Sequence, residues 1–417
     1  MQFPNLSKFN GTKVRSDPPP FRSAMGEAER QAVLDVLAYY ESSQADPPYE
    51  GIFQRKFENE FAKLMGGGYA RAVSSGSVAC FIAIRALRLP LGSEIIVPGV
   101  TDSGSIFAIV EAGLSPVIVD TMPDSYNTNW EELELAITSK TSAIFAVHMA
   151  GEPLDILTIS ENAKNQNLRL IEDCSQAPFA RICKTNCVCQ PAICAGMPVG
   201  GFGDVAAYST MYRKSLHTGG SGGVVFTKDE IIAKAVIEES DRGRPKWSAE
   251  YRSGDPGHAT VSALNFNTDE FSCAIGLASL SRLEDTIQRR RKFLIELNKR
   301  AKHLQPYFQI MNNSLGQSPF FIPVIVGNGL ESRKVEIAEL LQAEGISLLP
   351  VFNNIVADWE VAKKLNWKIA KSVNALSMKA TSFNLFLNEN YGEREASEIV
   401  EALEKVLNHV TNRNNII

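Results

Sequence analysis

Apolar positions along this chain change their period at about residue 69. Before it they recur at helical spacing, which predicts one helix over residues 27–40 and a second over 53–65 after a loop carrying Pro47 and Pro48. On the second, Phe53, Phe57, Phe61 and Leu64 form one stripe, read as core packing. From Tyr69 onward short β-rich runs alternate with helical stretches, the pattern of a mostly parallel sheet with crossover helices. Seven strands are expected, at 70–74, 94–97, 116–119, 143–147, 168–172, 205–208 and 223–227. Uninterrupted apolar runs such as Ile95-Ile96-Val97 suit strands covered on both faces, so the sheet is expected to be sandwiched by helices. Past about residue 280, charged helices at 280–302, 332–343 and 393–408 enclose a few strands, one of them at 320–326, which predicts a smaller α+β domain. Pro18-Pro19-Pro20 forbids helix near the start. The expected organisation is therefore an arm over 1–24 lying on the body or on a partner subunit, a large α/β domain over 25–280, and a small C-terminal domain over 281–417.

Composition narrows the class. The chain has 417 residues, 44% hydrophobic and 21% charged, enough for two or three packed domains. Its net charge is -5 and its basic residues are scattered, so nucleic acid is not an expected partner and a small molecule is. With no leader-like start and no apolar run of about 18 residues, no membrane association is expected and the location is read as cytoplasmic. Seven cysteines argue against a disulfide framework. Cys183, Cys187, Cys189 and Cys194 cluster, but their spacing is not that of the common zinc modules; a loop of reduced thiols is preferred over a metal site.

Three segments carry chemistry. Ser74-Ser75-Gly76-Ser77 lies between an expected strand and the helix expected over 78–87, so backbone N–H groups and the positive end of the helix dipole converge where a phosphate can bind. A serine helix cap is the plainer alternative. Ile171-Glu172-Asp173-Cys174-Ser175-Gln176 places Asp173 just past an apolar strand, at the sheet edge where ligands bind. An acid there is costly without a cationic partner, for which a pyridinium nitrogen would serve, with Gln176 in reach of a neighbouring ring oxygen; a capping Asp and a solvated Gln is the other reading. Finally, Tyr208-Ser209-Thr210-Met211-Tyr212-Arg213-Lys214 precedes the glycine-rich 218–223, and a lysine in such a loop can offer its amine to an aldehyde, although most loop lysines are simply solvated.

Together these segments resemble the DegT/DnrJ/EryC1/StrS family of sugar aminotransferases, of fold type I, over about residues 25–290. Val97-Pro98-Gly99-Val100-Thr101, Val147-His148-Met149-Ala150-Gly151, Gly200-Gly201-Phe202-Gly203-Asp204 and Leu264-Asn265-Phe266-Asn267 match it in the same order. The resemblance implies a pyridoxal 5'-phosphate (PLP) cofactor held on Lys214 as a Schiff base, with Asp173 paired to the pyridine nitrogen and Gln176 on the phenolic oxygen. It further implies that Ser75, Gly76, Ser77 and Ser209 hold the phosphate and that Asn265 approaches it from the other subunit of a homodimer with shared active sites. The implied activity moves an amino group from glutamate or glutamine to the keto group of a sugar, most commonly a nucleotide-linked keto-deoxysugar. A cyclitol aminotransferase is the near alternative. A PLP-dependent sugar dehydratase, in which histidine replaces the lysine, or a non-catalytic regulatory relative are alternatives of other classes.

The sequence departs from that family at four places. Asp102 stands where an aromatic usually stacks on the cofactor, so either another aromatic, Phe107 or Tyr212, supplies the ring or this chain holds its cofactor differently. The glycine stretch is one residue longer, Asn267 replaces an arginine, and about ten residues are inserted within 183–194. Two further features stay open: His148 as a ring-face or a buried structural residue, and Arg242 or Arg244 as anion binders or parts of a solvated loop. His217, three residues past Lys214, is the residue a dehydratase reading would need.

Overall fold

The structure, a computed structural model, describes all residues except 1–5, 10, 183–195, 253–258, 312–313, 315 and 414–417. The inserted segment with its four clustered cysteines thus lies outside the described residues. The strands in chain order are β1 (Tyr69–Val73), β2 (Glu94–Pro98), β3 (Ser115–Val119), β4 (Thr141–Val147), β5 (Arg169–Asp173), β6 (Arg181–Ile182), β7 (Met197–Pro198), β8 (Val205–Ser209), β9 (Gly223–Thr227), β10 (Phe308–Ile310), β11 (Phe321–Val326), β12 (Leu348–Leu349), β13 (Lys368–Ile369) and β14 (Ser382–Phe386).

The seven strands expected from residues 70–227 form one sheet, joined by an eighth, in the order β1-β9-β8-β5-β4-β2-β3-β13. All neighbours from β8 to β13 pair in parallel, while β9 runs antiparallel between β1 and β8. The eighth strand, β13, comes from late in the chain and pairs with β3 through Lys368 and Ile369 alone. Both faces are covered: Ile95, Val97, Phe145 and Ile171 are buried in one apolar cluster, and Ile96, Val117, Ile144 and Ala146 in another. This is the two-sided burial that continuous apolar runs demand, since alternate side chains point to opposite faces.

The helix Ile52–Leu64 packs Phe57 and Phe61 fully into the core, with Phe61 edge-on to Phe179 and Tyr208 at 5.2 and 5.0 Å. Leu64, counted in the same stripe, is 43% exposed, because it is the last residue of the helix and the chain turns away there. A second sheet, β10-β11-β14-β12, is wholly antiparallel and shares its core with the helices Leu283–Ala301, Lys334–Ala343 and Glu393–Arg413. The N-terminal residues join that core through Leu6, and the N–H groups of Ser7 and Val14 donate to Glu344, itself paired to buried Lys405 at 2.8 Å. Among the described residues no helix is long and apolar enough to cross a membrane.

Candidate active site

The carboxyl ends of the parallel strands converge on one cavity of about 240 Å³. Its walls come from the segments after β1 (Ser75, Gly76, Ser77), after β2 (Thr101, Asp102, Ser105), at the end of β5 (Asp173, Gln176) and after β8 (Ser209, Lys214). Ligands bind at this edge in open α/β sheets because the strand-to-helix turns leave backbone dipoles and loop side chains facing one crevice.

Ser75 caps the eleven-residue helix Gly76–Ala86, its Oγ accepting from Val78 N at 3.2 Å. The hydroxyl hydrogen remains for a ligand, as do the first N–H groups of the helix. Gly76 is required by contact: a Cβ there would lie 2.5 Å from the Ser209 Cβ and 2.8 Å from its Oγ. Ser75, Ser77 and Ser209 line the same cavity, and a side chain at position 76 would crowd Ser209. Gly76→Ala is expected to push Ser209 out of place at the end of β8 and to weaken retention of a phosphate-bearing ligand by about tenfold or more. Equilibrium dialysis against pyridoxal phosphate checks this; unchanged retention would remove the segment from the phosphate-binding role.

Asp173 is held on both oxygens. Ser105 Oγ donates to Oδ2 at 2.6 Å, the backbone N–H of Ser175 donates to Oδ1 at 2.9 Å, and the Cys80 thiol lies 3.9 Å from Oδ2. Burial, with the Asp173 charge beside it, pushes the Cys80 thiol well above its ordinary range, so it stays protonated. Gln176 accepts from Ala150 N at 3.0 Å through Oε1, which turns its NH2 group loose to donate to an anionic oxygen. Lys214 is 7% exposed, with Nζ 4.2 Å from the centroid of the Phe320 ring. Burial lowers its amine to about 8, against the opposing pull of Asp173 and Asp102.

Other residues singled out from sequence stand elsewhere. His148 is fully buried on the sheet face opposite Asp173: its Nδ1 accepts from Leu154 N at 3.1 Å and its Nε2 lies 3.2 Å from Glu172. Glu172 also accepts from Gly200, Phe202 and Gly203 N–H groups; although burial opposes its charge, these bonds and that of His148 hold its carboxyl below the ordinary range. The pair is structural. Phe107 packs on Trp359 and Trp367, and Tyr212 is 54% exposed; neither lines the cavity, so neither replaces the missing stacking aromatic. Asp102 does line it, with Oδ1 accepting from Gly104 N at 2.9 Å as a helix cap. His217 lies outside the cavity, 3.2 Å from Arg282. Arg242, Arg244 and Lys246 close on buried Asp241 at 2.8, 3.7 and 2.7 Å, so much of their charge is already met. Asn265 is exposed beside Tyr49, away from this chain's cavity.

Sequence reasoning missed Ser105 and Phe320. Ser105 carries no motif of its own; only its place one helical turn past Asp102 hints that it faces the same cavity. Phe320 reaches Lys214 from the start of the second sheet, and nothing local marks that contact.

Comparison with known proteins agrees with this geometry. A family model described as the DegT/DnrJ/EryC1/StrS aminotransferase family matches residues 26–404. The chain is 34% identical over 247 residues to a GDP-perosamine synthase of Escherichia coli O157:H7, a match spanning 58% of this chain and 61% of that protein. It is 27% identical over 368 residues to a GDP-perosamine synthase of Caulobacter vibrioides, covering 86% of this chain and 91% of the other. In structure it is similar to an E. coli GDP-4-keto-6-deoxy-D-mannose-3-dehydratase solved with bound hydrated PLP, at TM-score 0.80 and 25% identity over 93% of this chain and 99% of that one. Since the family match runs over almost the whole chain, this protein belongs to the DegT/DnrJ/EryC1/StrS aminotransferase family and is an enzyme of that class.

Proposed function

We propose that the protein holds pyridoxal 5'-phosphate on Lys214 and transfers an amino group from glutamate or glutamine to the keto group of a nucleotide-linked keto-deoxysugar. The observation that carries the cofactor assignment is the shared cavity: a buried amine, a fixed carboxylate and a helix N-terminus whose glycine cannot bear a Cβ all face one space. These groups fit PLP at three separate points of its structure. Ser75, Gly76, Ser77 and Ser209 would hold the phosphate, Asp173 the ring nitrogen, and the Gln176 NH2 the phenolic oxygen. When bound, PLP supplies an electron sink for the substrate carbon that loses a proton.

The rest is done by the chain. Asp173 favours a protonated ring nitrogen, and Ser105 and the Ser175 N–H keep its two oxygens aimed. Lys214 would hold the cofactor and, with its amine free, would move a proton at its Nζ, a task suited to an amine brought near neutral pH. Asn265, exposed and outside its own cavity, would reach the phosphate bound by a second copy, which makes the working unit a homodimer. The sugar reading rests on the relatives named for GDP-perosamine synthesis; a cyclitol ketone remains the near alternative.

A dehydratase among the similar structures prompts the other reading. Lys214 in the cavity and His217 outside it favour the aminotransferase. The test is absorbance: the protein loaded with PLP should show a band trapped on Lys214 by borohydride, bleached by glutamate or glutamine and restored by a keto-sugar nucleotide. A band that persists with both donors would remove the transaminase reading.

Capture of PLP by the cofactor-free protein depends on the neutral amine, so its rate should rise with pH through a midpoint near 8. Below that the ammonium cannot attack, and above it the amine is fully available. Stopped-flow absorbance from pH 6.5 to 9.5 measures this; a rate still climbing toward 10.5 would mean that Lys214 is not desolvated.

A further inference from the structure

Three segments far apart in sequence meet beneath Lys214. Arg22, from the N-terminal arm, donates from Nη1 to the Tyr212 carbonyl and from Nη2 to the Lys214 carbonyl, each at 2.6 Å. Glu389, from the loop after β14, accepts from Ser23 N at 2.7 Å and lies 3.8 Å from Arg22 Nε. Its other oxygen takes Arg290, of the helix Leu283–Ala301, at 2.8 Å. Arg290 in turn donates to Ser215 Oγ at 2.9 Å and to the Pro319 carbonyl at 3.2 Å, beside Phe320. The arm backbone is fixed to the same loop, with Asn388 donating to Pro20 O and Asn390 to Phe21 O.

Resting on the assignment of Lys214 as the cofactor-bearing residue, we infer that Arg22 is a positioning residue for it, and that the Arg22–Glu389–Arg290 cluster ties the arm and the second sheet to the lysine loop. A guanidinium gripping two carbonyls two residues apart fixes a backbone turn more tightly than a single bond, because its donors form a rigid fork. Residues 212–215 are held from outside by this fork while the Lys214 side chain points inward onto Phe320. The same arginine, Arg290, reaches both the lysine loop at Ser215 and the segment carrying that ring. Backbone placement of residue 214 and the dry surroundings of its amine are thus coupled. Arg22 faces Glu389, Arg290, Arg282 and His217; the groups facing the Lys214 amine are Asp173, Asp102 and Cys80. None of the first group touches the amine, so Arg22 acts through the backbone.

The experiment is PLP capture by cofactor-free wild type, Arg22→Ala, Arg22→Lys and Ser215→Ala, followed by stopped-flow absorbance across pH, with thermal melts of each. Loosening the loop lets water reach Lys214, so Arg22→Ala should capture PLP about tenfold more slowly at pH 7.5, with its midpoint moved upward by about one pH unit. Arg22→Lys, which keeps the charge without the fork, should fall between. Ser215→Ala, which spares the arm and cuts the Arg290 link, should move the midpoint in the same direction by less, and carries the test if Arg22→Ala does not fold. A lower melting temperature with an unmoved midpoint and rate in the variants would reduce the cluster to a fold contact and overturn the inference. Failure of wild type itself to capture PLP would instead strike the Lys214 assignment on which it rests.

Discussion

Lys214→Met is expected to abolish the absorbance band of bound cofactor and reduce amino transfer by about a thousandfold or more, while making the cofactor-free protein more stable at pH 7. The first two effects follow from losing the only amine lining the cavity among the described residues. The third follows from the sign of its titration. Burial lowers the folded-state amine to about 8 from 10.5, so below pH 8 the fold carries a charge it disfavours. That cost is on the order of 3 kcal/mol, is present in full below the folded value, and fades as pH rises to the unfolded one. Methionine fills similar space without the charge. The variant should therefore melt higher than wild type at pH 7, and the difference should vanish toward pH 10.5. Calorimetry of both proteins at pH 7 and 10 decides it. A variant that loses the band and melts lower at pH 7 would point to a collapsed site in place of a lost nucleophile. Active sites store such cost because the group that reacts best is seldom the group that packs best.

What the sequence made legible was set by how local each signal was. The seven strands over residues 70–227 are buried on both faces, and their apolar runs announce this directly. β13 escaped because two residues, Lys368 and Ile369, make up the whole strand, and their pairing with β3 is decided by docking late in the chain. That Ser75, Gly76, Ser77, Asp173, Gln176, Ser209 and Lys214 line one cavity was legible because each sits within a few residues of a strand end, where short motifs report position. Ser105 lies on the first turn of a helix whose rotation about its axis decides whether it meets Asp173 or solvent, and its own segment does not fix that rotation. Arg22 and Phe320 meet the lysine loop across about 190 and 100 residues of chain, beyond the reach of any local pattern. His148 shows the converse: a histidine at a strand end is conspicuous, yet alternation along β4 and β5 puts it with Glu172 on the face away from the cavity.

Asp173→Asn should leave cofactor capture intact and still lower amino transfer by about 10²- to 10³-fold, the range for removing one preorganised electrostatic partner. The geometry explains the split. Asparagine is nearly isosteric: its oxygen can keep the Ser175 N–H, and its NH2 can donate to Ser105 Oγ once that hydroxyl turns to accept. The fold is therefore undisturbed, and loss of the Asp173 charge, which opposes the burial of Lys214, only favours the neutral amine further, so the band should form. What disappears is the negative charge that, under the proposed function, would keep the cofactor's ring nitrogen protonated and so support its role as an electron sink. Ser105→Ala separates charge from aim, since it leaves the carboxylate but removes its 2.6 Å bond. A hydrogen bond to a charged group contributes about 1.5–3 kcal/mol, so a loss of about tenfold or more is expected, smaller than that of Asp173→Asn. Asp173→Glu should not restore the rate, because one added methylene carries the carboxylate off its two donors and into the cavity. Single-turnover rates with a glutamate donor rank these variants. Equal activity of Asp173→Asn and wild type would mean that the ring nitrogen is met elsewhere, and that the carboxylate at the end of β5 serves the fold alone.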